Sequence, residues 1–187
     1  FPTPLEDTNA VLEWVCRNAS TYHLDPQRLF LVGDSAGAQI TSQYATIATN
    51  PAYATHFDFT VPPVAVRAVG LNCGMYNASA LASGERTSIA KDYLGTRIPA
   101  DDPRLMVLEN ITGCFPPAHI TTAYRDFLRE CAAPMAKFLT DKGIRTDLNC
   151  YGSESDSAIG HVFHVNISLP EAAKCNDDQC VFFKSQL

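Results

Sequence analysis

The run from Arg28 to Ile40, Arg-Leu-Phe-Leu-Val-Gly-Asp-Ser-Ala-Gly-Ala-Gln-Ile, constrains the fold more than any other stretch of the chain. An apolar segment, Arg28 to Val32, ends abruptly in Gly33-Asp34-Ser35-Ala36-Gly37, and a helix-forming run from Ala36 to Thr49 follows at once. Short continuous apolar runs of this kind are strands buried on both faces. Strand, G-x-S-x-G and helix in immediate succession leave room only for a sharp turn. Gly33 and Gly37 then have a steric role, because without Cβ atoms the strand and helix can approach closely. The small Ala36 fits the same requirement. The pattern by itself has a plain alternative, a structural turn whose serine caps the helix. Its other reading is that the turn exposes the Ser35 hydroxyl, with the Ala36 N–H at the helix N-terminus aimed at developing negative charge.

The remaining elements follow from periodicity and breakers. Leu5 to Ala19 reads as an amphipathic helix with Val11, Leu12, Trp14 and Val15 on its apolar side. Asp25-Pro26 makes a turn, and Asn50-Pro51 stops the helix that begins at Ala36. Val64 to Leu71 is a second strand. Residues 72–113 are long and mixed, with a helix near Ser88 to Leu94. Pro116-Pro117 introduces a third strand, Ala118 to Thr122. Phe127 to Lys142 is a helix closed by Gly143, a C′ glycine. Thr146 to Tyr151 is a fourth strand, and Pro170 to Phe183 a final helix. Strands alternating with helices imply right-handed crossovers and an α/β fold, a parallel sheet with helices on both faces. The chain reads as a single domain, 1–187, with residues 75–113 inserted between the second and third strands as a lid or insertion segment.

Bulk properties exclude several roles. The 187 residues carry a net charge of −6, and Lys and Arg never cluster. That argues against nucleic acid and anionic membrane as partners. No stretch approaches eighteen apolar residues, and no basic segment followed by an apolar core opens the chain. The seven cysteines are scattered, with no C-x-x-C and no ligand spacing, so no metal or cofactor is implied. They read as reduced thiols of a cytoplasmic protein. Four N-x-S/T sequons, at Asn18, Asn77, Asn110 and Asn166, leave secretion open. A homodimer is an allowed assembly.

An elbow serine is inert without a base, and the base needs a carboxylate to orient it. In strand–elbow–helix proteins the chain order is serine, acid, histidine. His23 precedes the serine, His56 lies in the loop after its helix, and His119 sits inside a buried strand as a core residue. His161 and His164 follow the last strand. His161 ends a polar loop, Gly-Ser-Glu-Ser-Asp-Ser-Ala-Ile-Gly, from which its ring can swing over Ser35, and His164 is read as structural. The acid belongs on the loop after the third strand, at the carboxyl edge of the sheet. Asp126 stands there, with a helix N-cap as its plain alternative. Glu130 is a first-turn acid favoured by the helix dipole. Asp141 and Asp147 point elsewhere.

These stretches resemble the α/β-hydrolase superfamily, in particular its hormone-sensitive-lipase-like esterase branch. The resemblance lies in Phe1-Pro2, Glu6-Asp7, Asp25-Pro26, Gly33 to Gly37, Pro116-Pro117, Asp126-Phe127-Leu128 and His161-Val162-Phe163. Ala38, the Glu130-Cys131 pair and Val162 depart from the branch's usual residues. The resemblance implies a serine hydrolase of carboxylic esters; no long apolar stretch suggests a lid for a lipid interface, so short acyl esters such as acetyl esters are expected over triglycerides. Ser35 would be the nucleophile, His161 the base, Asp126 its partner and the Ala36 N–H an oxyanion donor. Asp34, Met75, Tyr76 and Tyr93 are candidates to bind substrate, with Leu94, Leu105 and Met106 as further pocket or lid residues. An amide-directed relative, a peptidase or arylformamidase, and a non-catalytic ligand-binding relative are the alternatives. The branch also carries an H-G-G-G loop and further strands ahead of the region that begins at Phe1, and nothing like that loop occurs here. The chain therefore resembles the C-terminal portion of such an enzyme. Its elbow strand is expected to be a bare edge, and its turnover in isolation to be weak.

Overall fold

A computed structural model describes residues 1–82, 88–95 and 98–187. The insertion expected over 75–113 therefore includes residues, 83–87 and 96–97, that lie outside the description. In chain order the elements are α1 (Thr3–Tyr22), β1 (Leu29–Asp34), α2 (Ala36–Thr49), a short α3 (Pro51–Ala54), β2 (Val66–Asn72), α4 (Ala78–Ala82), α5 (Ser88–Leu94), α6 (Val107–Asn110), β3 (Ala118–Ala123), α7 (Arg129–Asp141), β4 (Thr146–Tyr151) and α8 (Pro170–Lys184). Gly143 ends α7 with φ +78°, as its C′ position predicts.

The four strands form one parallel sheet in the order β1-β2-β3-β4. Alternate residues face opposite sides. Val69, Leu71 and Ile120 pack with Ala38 and Ala45 of α2 and with Ala132, Met135 and Leu139 of α7. The opposite face meets α8, where Phe182 lies against His119 with ring centroids 5.5 Å apart and Gln179 reaches Asn72. Helices thus cover both faces, as alternation of elements required.

Two expectations change. β1 is the edge strand expected of it, but it is not buried on both faces, and Val32 is 49% exposed. Among the described residues nothing pairs with its outer edge, so only its β2 side is satisfied. β3, with partners on both sides and helices above and below, is the strand that is buried at every position. In α1 the buried stripe is Leu5, Asn9 and Leu12, spaced as one helical face. Val11 and Trp14 point to solvent, and Trp14 rests on Tyr22 with centroids 5.1 Å apart. The polar Asn9 takes an inner position because Tyr44 donates to its Oδ1 at 2.7 Å and its amide reaches the Thr60 carbonyl at 3.2 Å.

Candidate active site

The turn between β1 and α2 is held by backbone. Ser35 has φ +54° and ψ −115°, a left-handed conformation that costs a non-glycine residue on the order of 1–3 kcal/mol. Its N–H donates to the Asn72 carbonyl of β2 at 2.8 Å. Its own carbonyl accepts from the Ala38 and Gln39 N–H groups. The Ser35 side chain does not cap α2, which removes the turn-and-cap reading. Instead its Oγ lies 2.9 Å from His161 Nε2. The close approach is at Gly33, where a Cβ would fall on the Gly37 carbonyl and come within 2.6 Å of Thr41 Oγ1. The matching expectation for Gly37 is corrected: a Cβ there would meet nothing within 4 Å. The strand side of the turn is crowded because α2 folds back over it. The helix side faces open space.

His161 and Asp126 arrive from separate loops. Gly160 bridges Arg125 in parallel, which lays the histidine loop along the loop that follows β3. His161 Nδ1 is 2.7 Å from Asp126 Oδ1. That oxygen also accepts from the Leu128 N–H at 3.0 Å, and Oδ2 accepts from the Thr122 hydroxyl at 2.9 Å. The Asp126 side chain is fully buried, while the His161 side chain keeps 21% exposure. Burial pushes the Asp126 carboxyl upward, but the hydrogen bonds it accepts from Leu128, His161, Thr122 and Cys73 outweigh burial and hold it below the ordinary 3.8. An ionised Asp126 is an acceptor only, so the proton on His161 sits on Nδ1, and Nε2 is left to accept from Ser35. Phe127 packs its ring against His161 with centroids 4.2 Å apart. Leu128, not Asp126, precedes the first residue of α7.

Ser35 and Ala36 open onto an apolar cavity of about 390 Å³. Gln39, Ile40, Met75, Leu81, Tyr93 and Phe127 complete most of its wall. Of the four residues expected at substrate, Met75 and Tyr93 line this cavity. The Tyr93 hydroxyl donates to Gln39 Oε1 at 3.1 Å, and burial raises its pKa. Asp34 and Tyr76 lie elsewhere. Asp34 turns its carboxylate to His164, whose Nε2 is 3.0 Å away. Tyr76 is buried, with its hydroxyl 3.4 Å from the Leu71 carbonyl, and it borders a separate groove beside α7. Leu94 and Leu105 are buried in a satellite cluster with Ala78 and Val107. Ala36 is the first residue of α2, where a helix leaves its N–H groups without intrahelical partners.

His164 is buried and meets Asp34 rather than Ser35. Its Nε2–H holds Asp34, next to the serine, while Gln179 donates to Asn72, whose carbonyl holds the Ser35 N–H. His119 is buried, and that burial lowers its pKa, so it is neutral. Composition gave no signal for Thr122, Cys73, Asn72 or Gln179. Gln39 was findable, since it follows Ser35 by one helical turn on the same face. Among the described residues, one group of His, Cys, Asp and Glu is close enough to share an ion: Cys73, Asp126 and His161, with ligand atoms within 4.8 Å of one another. The 2.7 Å hydrogen bond between His161 and Asp126 accounts for the closeness of that pair.

A parallel sheet, a strained serine turn between strand and helix, and a serine–histidine–carboxylate chain at the sheet's carboxyl edge define a class, the α/β proteins with a serine at a strand–turn–helix elbow. Comparison with known proteins agrees. Residues 1–164 match the model of a family described as alpha/beta hydrolase fold. The chain belongs to this α/β-hydrolase family. It is 28% identical over 190 residues to carboxylesterase NlhH of Mycobacterium tuberculosis, covering 93% of this chain and 56% of that protein. It is 27% identical over 189 residues to versiconal hemiacetal acetate esterase of Dothistroma septosporum, covering 92% and 55%. In fold it is similar to esterase B of Lactobacillus Rhamnosis, with a TM-score of 0.81, 21% identity, and coverage of 97% of this chain and 60% of that one. The chain thus spans little more than half the length of the curated relatives it matches.

Proposed function

We propose that this chain carries the reacting groups of a carboxylesterase that acts on small, short-chain esters through an acyl-enzyme. The carrying observation is the unbroken chain from Ser35 Oγ to His161 Nε2 at 2.9 Å and from His161 Nδ1 to Asp126 Oδ1 at 2.7 Å, at the mouth of an apolar cavity. His161 takes the hydroxyl proton as Ser35 attacks the ester carbonyl. The carbonyl oxygen gains negative charge facing the Ala36 N–H and the N-terminus of α2. When the intermediate collapses, the C–O bond to the alcohol breaks and His161 returns its proton to the leaving oxygen. Water then repeats both steps on the acyl group, releasing acid and free Ser35. Asp126 keeps the imidazole in the required tautomer and offsets its charge when it is protonated. A cavity of about 390 Å³ lined by Ile40, Met75 and Leu81 accommodates an acyl chain of a few carbons and favours apolar over charged acyl groups. The relatives named as esterases support this reading.

A fluorophosphonate probe tests it. The expected result is one label on Ser35, lost in Ser35→Ala, together with p-nitrophenyl acetate and butyrate turnover above that of octanoate. No label, or a label that survives Ser35→Ala, overturns the assignment. A chain that binds esters but never labels is a ligand-binding relative.

A further inference from the structure

The groove beside α7 adjoins the cavity of Ser35. It holds about 410 Å³, close to the cavity's about 390 Å³, and Leu108, Pro134, Met135 and Phe138 make it mostly apolar. Among the described residues Met75 alone lines both spaces. Two stretches of chain pass from one space to the other. After Met75, Tyr76 and Asn77 line the groove and Leu81 lines the cavity. In the second stretch Leu128 lines the cavity and Glu130 and Cys131 the groove, within a turn in which the Cys131 N–H donates to the Leu128 carbonyl at 2.9 Å.

The backbone that carries Met75 has no room to retreat. Just before it, the Cys73 N–H donates to the Thr121 carbonyl at 2.7 Å. A Cβ at Gly74 would come within 2.6 Å of Ala38 Cβ in α2 and within 2.7 Å of Tyr76 Cε1. Met75 itself is only half-buried. Its side chain is unbranched, with three rotatable bonds, and suits an irregular gap between two spaces.

We propose that Met75 is a specificity-determining partition: its side chain ends the acyl pocket after a few carbons, and behind it the α7 groove is a ready extension for a longer acyl chain. The proposal rests on the reading of Ser35 as the nucleophile that faces this cavity. The extension suits an apolar chain, because its walls are mostly aliphatic and aromatic. The one carboxylate on its wall, Glu130, pairs with Arg129 at 3.0 Å and is 86% exposed. Removing the partition joins two spaces of similar size. Each methylene that gains apolar cover is worth about fourfold in affinity. An octanoyl chain has four carbons more than a butyryl chain, and even partial cover of those four gives at least about tenfold.

Binding of methyl butyrate and methyl octanoate is measured by isothermal titration calorimetry on the Ser35→Ala chain, with and without Met75→Ala. Without the Ser35 hydroxyl the esters bind but do not acylate the chain. Met75→Ala should shift the ratio of the two dissociation constants toward octanoate by at least about tenfold. Met75→Leu, close in volume, should keep the ratio. Leu108→Phe narrows the groove, and added to Met75→Ala it should reverse the shift. With Ser35 present, the kcat/KM ratio of p-nitrophenyl octanoate to butyrate should move the same way. An unmoved binding ratio in Met75→Ala, an equal shift in Met75→Leu, or a shift that Leu108→Phe leaves in place each overturns the proposal. Should Met75→Ala fail to fold, Met75→Val shortens the partition less and should give a smaller shift in the same direction, and no shift there overturns the proposal as well. A binding shift in a chain that a fluorophosphonate never labels at Ser35 refutes the nucleophile reading and leaves the partition in place.

Discussion

Gly33→Ala tests whether the elbow is a steric device. The added Cβ would fall on the Gly37 carbonyl and within 2.6 Å of Thr41 Oγ1. The first of these is backbone in the opening turn of α2, so it cannot rotate away as a side chain would. Relief requires β1 and α2 to separate, and Ser35 lies between them. Overpacking of this kind costs about 1–3 kcal/mol. For a chain of this size that is a fall in Tm of roughly 2–12 °C, at about 2–4 °C per kcal/mol. The serine suffers more than the fold. Ser35 Oγ is held 2.9 Å from His161 Nε2, and a misplacement of about 1 Å can cost about 10²-fold in rate. Gly37→Ala is the internal control. Its Cβ meets nothing within 4 Å, and its φ is not in the left-handed region. It should change stability by less than about 1 kcal/mol, on the favourable side since alanine is the better helix residue. Differential scanning fluorimetry and fluorophosphonate labelling of both variants decide the matter. Equal behaviour of the two, or a wild-type labelling rate in Gly33→Ala, refutes the steric account.

Three further outcomes are expected. Asp126→Asn should reduce labelling at pH 7 by about 10⁴-fold, since the amide favours the wrong imidazole tautomer. Because the Asp126 pKa is lowered on folding, its stabilisation is fully present above about pH 4 and fades as pH falls through its lower folded value. The gap in urea-unfolding stability between wild type and Asp126→Asn should therefore narrow below pH 4, and a gap that widens there would contradict the assignment. His164→Phe keeps the buried volume but leaves Asp34 without its 3.0 Å donor; urea titration should show a loss of about 1–2 kcal/mol, smaller in His164→Gln. Val32→Lys places a charge on the open side of β1, where the residue is 49% exposed. It should cost under about 0.5 kcal/mol and reduce concentration-dependent self-association in sedimentation velocity, whereas stronger association would mean that this edge is not the sticky surface.

Much of the fold was legible because its signals are local. Parallel strands between helices write continuous apolar runs, and β4 (Thr146–Tyr151) and α2 (Ala36–Thr49) have the bounds read from the sequence. Pro116-Pro117 mark the start of β3 and Gly143 the end of α7 through their own backbone preferences. Less was legible where a residue's partners are distant in sequence. Val11 and Trp14 belong to an apolar stretch by composition, yet the face of α1 that meets α2 is set by Leu5, Asn9 and Leu12. Asp34 lies beside the serine in sequence but turns to a histidine 130 residues away.

The sequence by itself picked out the strand–turn–helix elbow and Ser35, Asp126 and His161, the three side chains that lie within hydrogen-bond distance of one another in the structure. It could do so because a buried strand ending in G-x-S-x-G, and loops at predictable strand ends, are properties of a few neighbouring residues. Only the tertiary structure decided that Ser35 Oγ faces His161 rather than capping α2, and that Val32 of β1 is half exposed. It also decided that Gly33 is crowded while Gly37 is not. Each of these depends on which strands and loops meet in space. Packing between segments separated by tens of residues sets those meetings, and no local pattern records it.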